Sequence, residues 1–315
     1  MLKYTLKRIL SAIPVLLIVV FITFFLMRML PGDVAVLILG RDAPPGDLEI
    51  LRETLGLNKP LPVQFVEYIQ DLLRGDWGTS MYNNLPVFEN IRNSLEPTVL
   101  IMILSILISV IIGIPVGIIS AVKRNSVLDY LLMTVSVFGL SIPVFWSGIM
   151  LAYYVGTLWG VLPNMNYYPI AEVGLLQSIR YVILPSVALG FQSVASIARY
   201  TRSTMLDVLG DDYIRTARAK GLAERVVLYQ HALKNAMSPV ITHIGTNIAS
   251  LMGGACVIET VFGINGMGKL AYDSLIRRDY TQVQAIILVV ALVYIVVNLV
   301  VDLLYKVFDP RVELN

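Results

Sequence analysis

The chain has 315 residues, of which 57% are hydrophobic and 15% charged, with a net charge of +2 and a mean hydropathy of +0.74. Soluble domains carry roughly a quarter charged residues, so an ordinary soluble enzyme is excluded, and so small a net charge argues against a nucleic-acid partner. The single cysteine, Cys256, has no internal disulfide partner and reads as a small buried hydrophobe.

A bilayer core is crossed by about 20 apolar helical residues. Six stretches reach that length: 9–27, 98–122, 131–158, 181–198, 240–262 and 283–305. An all-α, polytopic membrane protein with six transmembrane helices is therefore expected. The first stretch follows Lys3, Lys7 and Arg8 and ends in "MRMLPGD" rather than at a small-residue cleavage site. It reads as a retained helix, so residues 1–30 form the N-terminus and first span.

Residues 31–97 are polar but patterned. In "LPVQFVEYIQDLLRG", Phe65, Val66, Ile69, Leu72 and Leu73 share a helical face, Pro62 suits an early position and Gly75 a C-terminal cap. "PVFENIRNSL" repeats the pattern with Val87, Phe88, Ile91 and Leu95. A small extracytoplasmic helical cap follows, with ten acids against five bases, either a docking face or a solvated surface. Residues 98–315 then form a five-helix core with a cytoplasmic segment at 199–239. Within the apolar stretches, Pro115, Pro143 and Pro185 mark kinks. Pro185, Gln192 and Ser193 make the fourth stretch the least apolar.

Lysine and arginine near span ends mark the cytoplasmic side. They gather at the N-terminus, at Lys123 and Arg124, between Arg199 and Lys234, and at Lys306 and Arg311, which puts both termini in the cytoplasm. Lys269, Arg277 and Arg278 dissent, because their loop falls outside.

The cytoplasmic segment breaks into short helices. Gly210 ends one; Asp211 or Asp212 caps a second, about 213–220, which ends at Gly221. A third runs from about Ala223 to Met237, before Pro239 opens the fifth span. Two-turn helices are marginal alone in water, so the middle one needs a surface. Tyr213, Ala217 and Gly221 share one face with Ile214 beside them. Small side chains there admit close approach of another protein, and Arg215, Arg218 and Lys220 supply charge to its rim.

"GINGMGKL" satisfies G-x-x-x-x-G-K from Gly263 to Lys269, but Leu270 stands where a Mg-binding hydroxyl belongs and a membrane helix precedes it. It reads as a tight turn in which Gly263, Asn265, Gly266 and Gly268 permit positive φ. Glu259 near the outer end of the fifth stretch and Asn247 near its inner part are candidate pathway or gate residues. Gly253 and Gly254 suit close helix packing. His231 and His243 have no partner at ligand spacing, so no metal site is expected.

"RTARAKGL" (215–222) and "HALKNA" (231–236) resemble the cytoplasmic "EAA" loop of ABC importer permeases. The form is that of the dipeptide, oligopeptide and nickel permease family, with Arg215 and Thr216 in place of Glu-Ala and Lys234 in place of proline. "LPGD", "LLRGDWGTS", "GLSIPVFW", "LPSVALG", "ETVF", "RRDY" and "DPR" extend the resemblance along nearly the whole chain. It is nearest to the first permease of the pair, the one with a long outer loop.

The resemblance implies a type I permease fold in a prokaryotic plasma (inner) membrane. The partners it implies are a second permease, two cytoplasmic ATPase subunits and an extracytoplasmic binding protein. ATP and Mg would be bound by the ATPases, leaving this chain a transport subunit without catalytic residues or cofactor. Tyr213, Ile214, Arg215, Thr216, Ala217, Arg218, Ala219, Lys220 and Gly221 would form the ATPase-coupling helix. The cargo implied is a di- or oligopeptide, with nickel, glutathione or an oligosaccharide as alternatives. A passive channel or scaffold would need no coupling helix. An intramembrane hydrolase would need motifs such as H-E-x-x-H or G-x-S-x-G, which the sequence lacks.

Overall fold

The computed structural model describes residues 2–29, 34–40 and 42–308, so "LPGD" (30–33) and "DPR" (309–311) lie outside the described residues. Among these, regular structure is helical apart from one isolated bridge between Thr79 and Pro86. The helices run α1 (Leu2–Met29), α2 (Val34–Leu39), α3 (Pro45–Thr54), α4 (Leu61–Leu73), α5 (Val87–Val122), α6 (Val127–Ser141) and α7 (Val144–Leu151). Then come α8 (Ile170–Val173), α9 (Leu175–Leu209), α10 (Asp212–Ala219), α11 (Glu224–Val226), α12 (Lys234–Val261), α13 (Met267–Ile276) and α14 (Tyr280–Phe308). Single π-helical stretches, Ala152–Leu158 and Val227–Leu233, extend α7 and join α11 to α12.

Among the described residues four helices, α1, α5, α9 and α14, are long and apolar enough to cross a bilayer. Two more spans are broken: Val127–Ser141 meets Val144–Leu158 at 99°, and Glu224–Ile248 meets Ser250–Val261 at 42°. Counting each pair as one span gives six. The helices form two compact units, one built on Leu95–Lys269 with α14 from Val296, the other on Thr5–Ser94 with Leu270–Ile295.

The first unit is organised around α9. Of its most apolar window 61% is buried, against 17–28% in the other three long helices. That burial explains why its sequence is the least apolar: its polar residues face protein, not lipid. On α5, Ser105, Ser109, Gly113 and Gly117 recur every fourth residue and form one ridge. A Cβ on Gly117 would lie 2.6 Å from the Ala198 carbonyl oxygen, and one on Gly113 3.0 Å from that of Val194. The Ser105 hydroxyl donates to the Ser186 carbonyl (3.0 Å), Ser109 to Gly190 (3.1 Å) and Ser186 to Ile101 (3.3 Å). Small residues let the two backbones approach, and the hydroxyls tie them. α12 packs on α9 as well, with Gly254 against Leu189, whereas Gly253 meets nothing within 4 Å.

Two sequence expectations change here. The stretch 131–158 is not one kinked helix, because Ile142 is extended (φ −77°, ψ 124°) ahead of Pro143, as the residue before proline prefers. The carbonyl left open at that break accepts from the Gln192 amide at 2.8 Å. Pro239 does not open the fifth span either. It sits inside α12, just past the π-helical stretch, and the helix passes through it.

In the second unit α4 appears where expected, ending at Arg74 with Gly75 at φ +84°. Its inner face is rotated from the expected one: Val66 and Leu73 are exposed, while Gln64 is buried. Phe65 and Tyr68 pack on Phe24 of α1, with ring centroids 5.2 and 5.6 Å apart. Gln64 accepts from Arg28 Nε at 2.8 Å and donates to the carbonyls of Leu57 and Lys59. Burial raises the Tyr68 phenol above its ordinary pKa. "PVFENIRNSL" is not a separate helix: α5 runs unbroken from Val87 through Pro97. Two of the quoted motifs meet, because buried Asp279 of "RRDY" accepts from the Ser80 hydroxyl of "RGDWGTS" and from Met81 N–H at 3.2 Å. Arg277, one of the dissenting bases, stacks 3.7 Å over the Tyr82 ring.

Gly117→Leu should push α5 off α9 and cost about 1–3 kcal/mol. Gln192→Leu should cost about 1–3 kcal/mol by stranding the Ile142 carbonyl. Gly253→Ala, with open space, should leave stability unchanged. Thermal melting in detergent ranks the three, and equal melting of Gly117→Leu and Gly253→Ala would refute the seam.

Candidate functional site

The segment after α9 folds onto the end of the first unit. Gly210 closes α9, and α10 follows after Asp211. At 100° per residue, Ile214 and Ala217 fall on one side of α10. Both are buried, in a cluster with Ala121, Met205, Val227, Ala232 and Ala236. The opposite side carries Arg215, Thr216 and Ala219, all exposed, and Tyr213, Arg218, Lys220 and Gly221 are exposed around it. The surface that the two-turn helix needs is thus its own chain. Ala217 does not offer a small side chain to an outside protein, as the spacing alone suggests; it lets α10 lie close on Met205 and Val227.

Polar contacts fix the helix at both ends. Asn235 donates to the Tyr213 hydroxyl at 2.8 Å. Beyond α10, Gly221 takes φ +77°, which glycine adopts without strain, and its N–H reaches the Arg218 carbonyl at 2.9 Å. Arg218 then grips Glu224 through Nη2 (2.7 Å) and Nε (3.2 Å), closing the turn to α11. That carboxylate raises the guanidinium pKa further.

Glu259 is fully buried in the glycine turn. The Thr98 hydroxyl donates to its Oε1 at 2.5 Å, and Lys269 N–H donates to Oε2 at 2.8 Å. Thr98 Oγ1 in turn accepts from Met267 N–H at 2.8 Å. The pair satisfies N–H groups at the start of α13 that have no partner within their own helix. Of the turn glycines only Gly263 needs positive φ, at +63°. Gly266 is needed because a Cβ would overlap the Glu259 carboxylate, and Gly268 because one would come within 2.6 Å of the Cys256 backbone. Lys269 Nζ reaches Asn265 at 2.9 Å. Asn247 is half-buried and donates to the His243 carbonyl of its own helix at 2.9 Å.

Two arrangements escape a reading by spacing. Asp129 is buried and accepts from Arg202 through Nε and Nη2, both at 2.7 Å, from the Ser120 hydroxyl, and from Asn125 N–H at 3.0 Å. Its own N–H goes to Ser126, the N-cap of α6. The S-x-x-D of a capping box was the available signal. The second is a cleft of about 510 Å³ among α6, α9 and α12, lined by Ser196, Arg199, Tyr200, Arg202 and His243. There His243 lies flat on Tyr200 (4.2 Å) and meets Ser196 at 2.9 Å. In the loop before α8, Tyr167 donates to Glu96 at 2.5 Å; burial first, then that carboxylate, drive its phenol pKa well up. Among the described residues no group of three His, Cys, Asp or Glu is placed to hold a metal.

The model of the "binding-protein-dependent transport system inner membrane component" family matches residues 113–314. That of the N-terminal membrane component of the same systems matches residues 1–105. The dipeptide transport permease DppB of Alkalihalophilus pseudofirmus is 42% identical over 99% of this chain and 100% of its own. A probable peptide ABC transporter permease of Sinorhizobium fredii is 40% identical over 98% and 99%. The glutathione transport permease GsiC of Salmonella typhimurium is 43% identical over 99% of both chains. A solved inward-facing methionine ABC transporter, MetNI, superposes with a TM-score of 0.58 at 17% identity, covering 71% of this chain and 98% of that one, a likeness of fold. The chain belongs to the binding-protein-dependent transport system inner membrane component family, the multi-pass permeases of ABC importers.

Proposed function

We propose that this chain carries peptides across a prokaryotic plasma membrane, with both termini in the cytoplasm, as one of two permeases driven by a pair of cytoplasmic ATPases. The permease relatives named for dipeptides and peptides, alike over nearly the whole chain, carry this reading. An extracytoplasmic binding protein would deliver the cargo, and ATP with its Mg would stay on the ATPases. Residues 31–97 would face the binding protein, and residues 98–315 would form the core.

Within this reading the coupling helix is α10 with Lys220 and Gly221. Its exposed side, Arg215, Thr216 and Ala219, meets the ATPase, while Ile214 and Ala217 rivet it to its own chain. A helix so anchored transmits a push, where a loose loop would absorb it. The bistable pair is then biased by contacts that differ between its two states. Glu259 serves as the buckle of the glycine turn, and Asn247 as a helix-internal donor, so neither is assigned to cargo. The GsiC relative favours glutathione as a second reading, itself a small peptide.

Three measurements test this. Thr216→Glu or Ala219→Glu should release the ATPase during co-purification from cells expressing the neighbouring genes, with the permease still folded. Retention of the ATPase by both would exclude this face. Glu259→Gln should lower stability by about 1–3 kcal/mol, because an amide N–H₂ replaces one acceptor among fixed donors. It should leave the cargo KM unchanged in proteoliposome uptake, and a raised KM would return Glu259 to the pathway. Uptake of labelled dipeptide in those proteoliposomes, blocked by unlabelled dipeptide but not by glutathione, separates the two cargo readings.

A further inference from the structure

A second cavity, of about 370 Å³, lies within the second unit and is untouched by the transport reading. Its polar lining comes from Arg28 at the end of α1, Gln64 of α4, and Thr281 and Gln284 at the start of α14. Met27, Leu57, Leu61 and Met81 supply apolar wall, and among the described residues no carboxylate lines it.

Two donors in it are unspent. Arg28 uses Nε on Gln64 and lays its guanidinium 3.7 Å over the Phe24 ring, and among the described residues no hydrogen bond engages its two Nη groups. Gln284 is 5% exposed, and its Nε2 is buried with no hydrogen-bond partner. A buried amide left unmatched costs free energy that a ligand acceptor would recover. A cation and an orphaned N–H donor facing one space, with no acid beside them among the described residues, call for an anion. The apolar wall calls for a ligand with a hydrocarbon part as well.

Height in the membrane chooses the anion. Arg28 is in the last turn of one span and Gln284 in the first turns of another. Ends of apolar spans fall at the level at which a bilayer carries its phosphates, and a long basic side chain at a span end reaches that interface. We propose that this cavity is a phospholipid site, with the lipid phosphate on Arg28 and Gln284 and the first acyl carbons against Met27, Leu57 and Leu61. The proposal stands independently of cargo and ATPase.

The test is the melting temperature of the purified chain in detergent, with and without phosphatidylglycerol, diacylglycerol, glycerol 3-phosphate or inorganic phosphate. Phosphatidylglycerol should raise it by several degrees in the wild type and in Arg28→Lys, and the other three additives should not. The rise should vanish in Arg28→Gln and Gln284→Met. Gln284→Met also guards against a folding artefact, because without lipid it removes an unmatched amide and should melt no lower than wild type. An equal rise with glycerol 3-phosphate or phosphate would make this a soluble-anion site and overturn the lipid. An equal rise with diacylglycerol, or full lipid stabilisation in both variants, would overturn the headgroup contact.

Discussion

The fold depends on how closely α5 and α9 approach. In lipid, two apolar helices gain nothing from hiding apolar surface, because the tails are as apolar as leucine. What holds them is contact at short range and hydrogen bonding, and both need small residues along the seam. Ser105, Ser109, Gly113 and Gly117 on one helix, against Ser186, Gly190 and Ala198 on the other, provide this. With α9 so fixed, α12 and the α6–α7 pair pack on its remaining faces. α9 is thus the axle of its unit, which is why the most buried of the four continuous spans is also the least apolar.

The same scarcity of water explains the second rule of the structure. Each interruption of a helix exposes backbone groups that lipid does not satisfy. Here three are closed by polar side chains reaching across: Gln192 to the break at Ile142, Asp129 to the turn at Asn125, and Glu259 with Thr98 to the start of α13. Asp129 is itself neutralised by Arg202, since an unpaired carboxylate at such depth would be costly. These residues look functional in a sequence because they are polar in apolar surroundings. In this structure their hydrogen bonds go to backbone groups left open at helix ends and breaks.

How much was legible follows from this. The spans, the α4 helix with Gly75 beyond its end, and the short helix ended by Gly221 all follow from local signals, namely apolar runs, caps and positive φ. Helix faces followed less well. Val66 and Leu73 looked inward by periodicity, yet Gln64 is the buried residue, because Arg28 and two carbonyls happen to surround it. Ala217 looked like a docking surface because a sequence cannot say whether a small residue admits a neighbour from its own chain or from another. Pairings far apart in sequence, such as Asp129 with Arg202 or Ser80 with Asp279, carry no periodic signal at all.

The site inherits its mechanics from both rules. α10 is only eight residues long, yet its buried face touches the end of α9 through Met205 and the entry to α12 through Val227, Ala232 and Ala236. The Arg218–Glu224 pair and the Asn235–Tyr213 bond brace it from the side. A displacement applied to α10 therefore reaches α9 and α12, which pack on each other, at their common end. α12 begins there with π-helical residues and a proline, features with backbone hydrogen bonds already rearranged, where bending costs little. Under the proposed coupling, a stiff lever joined to a helix with rearranged hydrogen bonds would carry a push from outside the membrane into the packing within it.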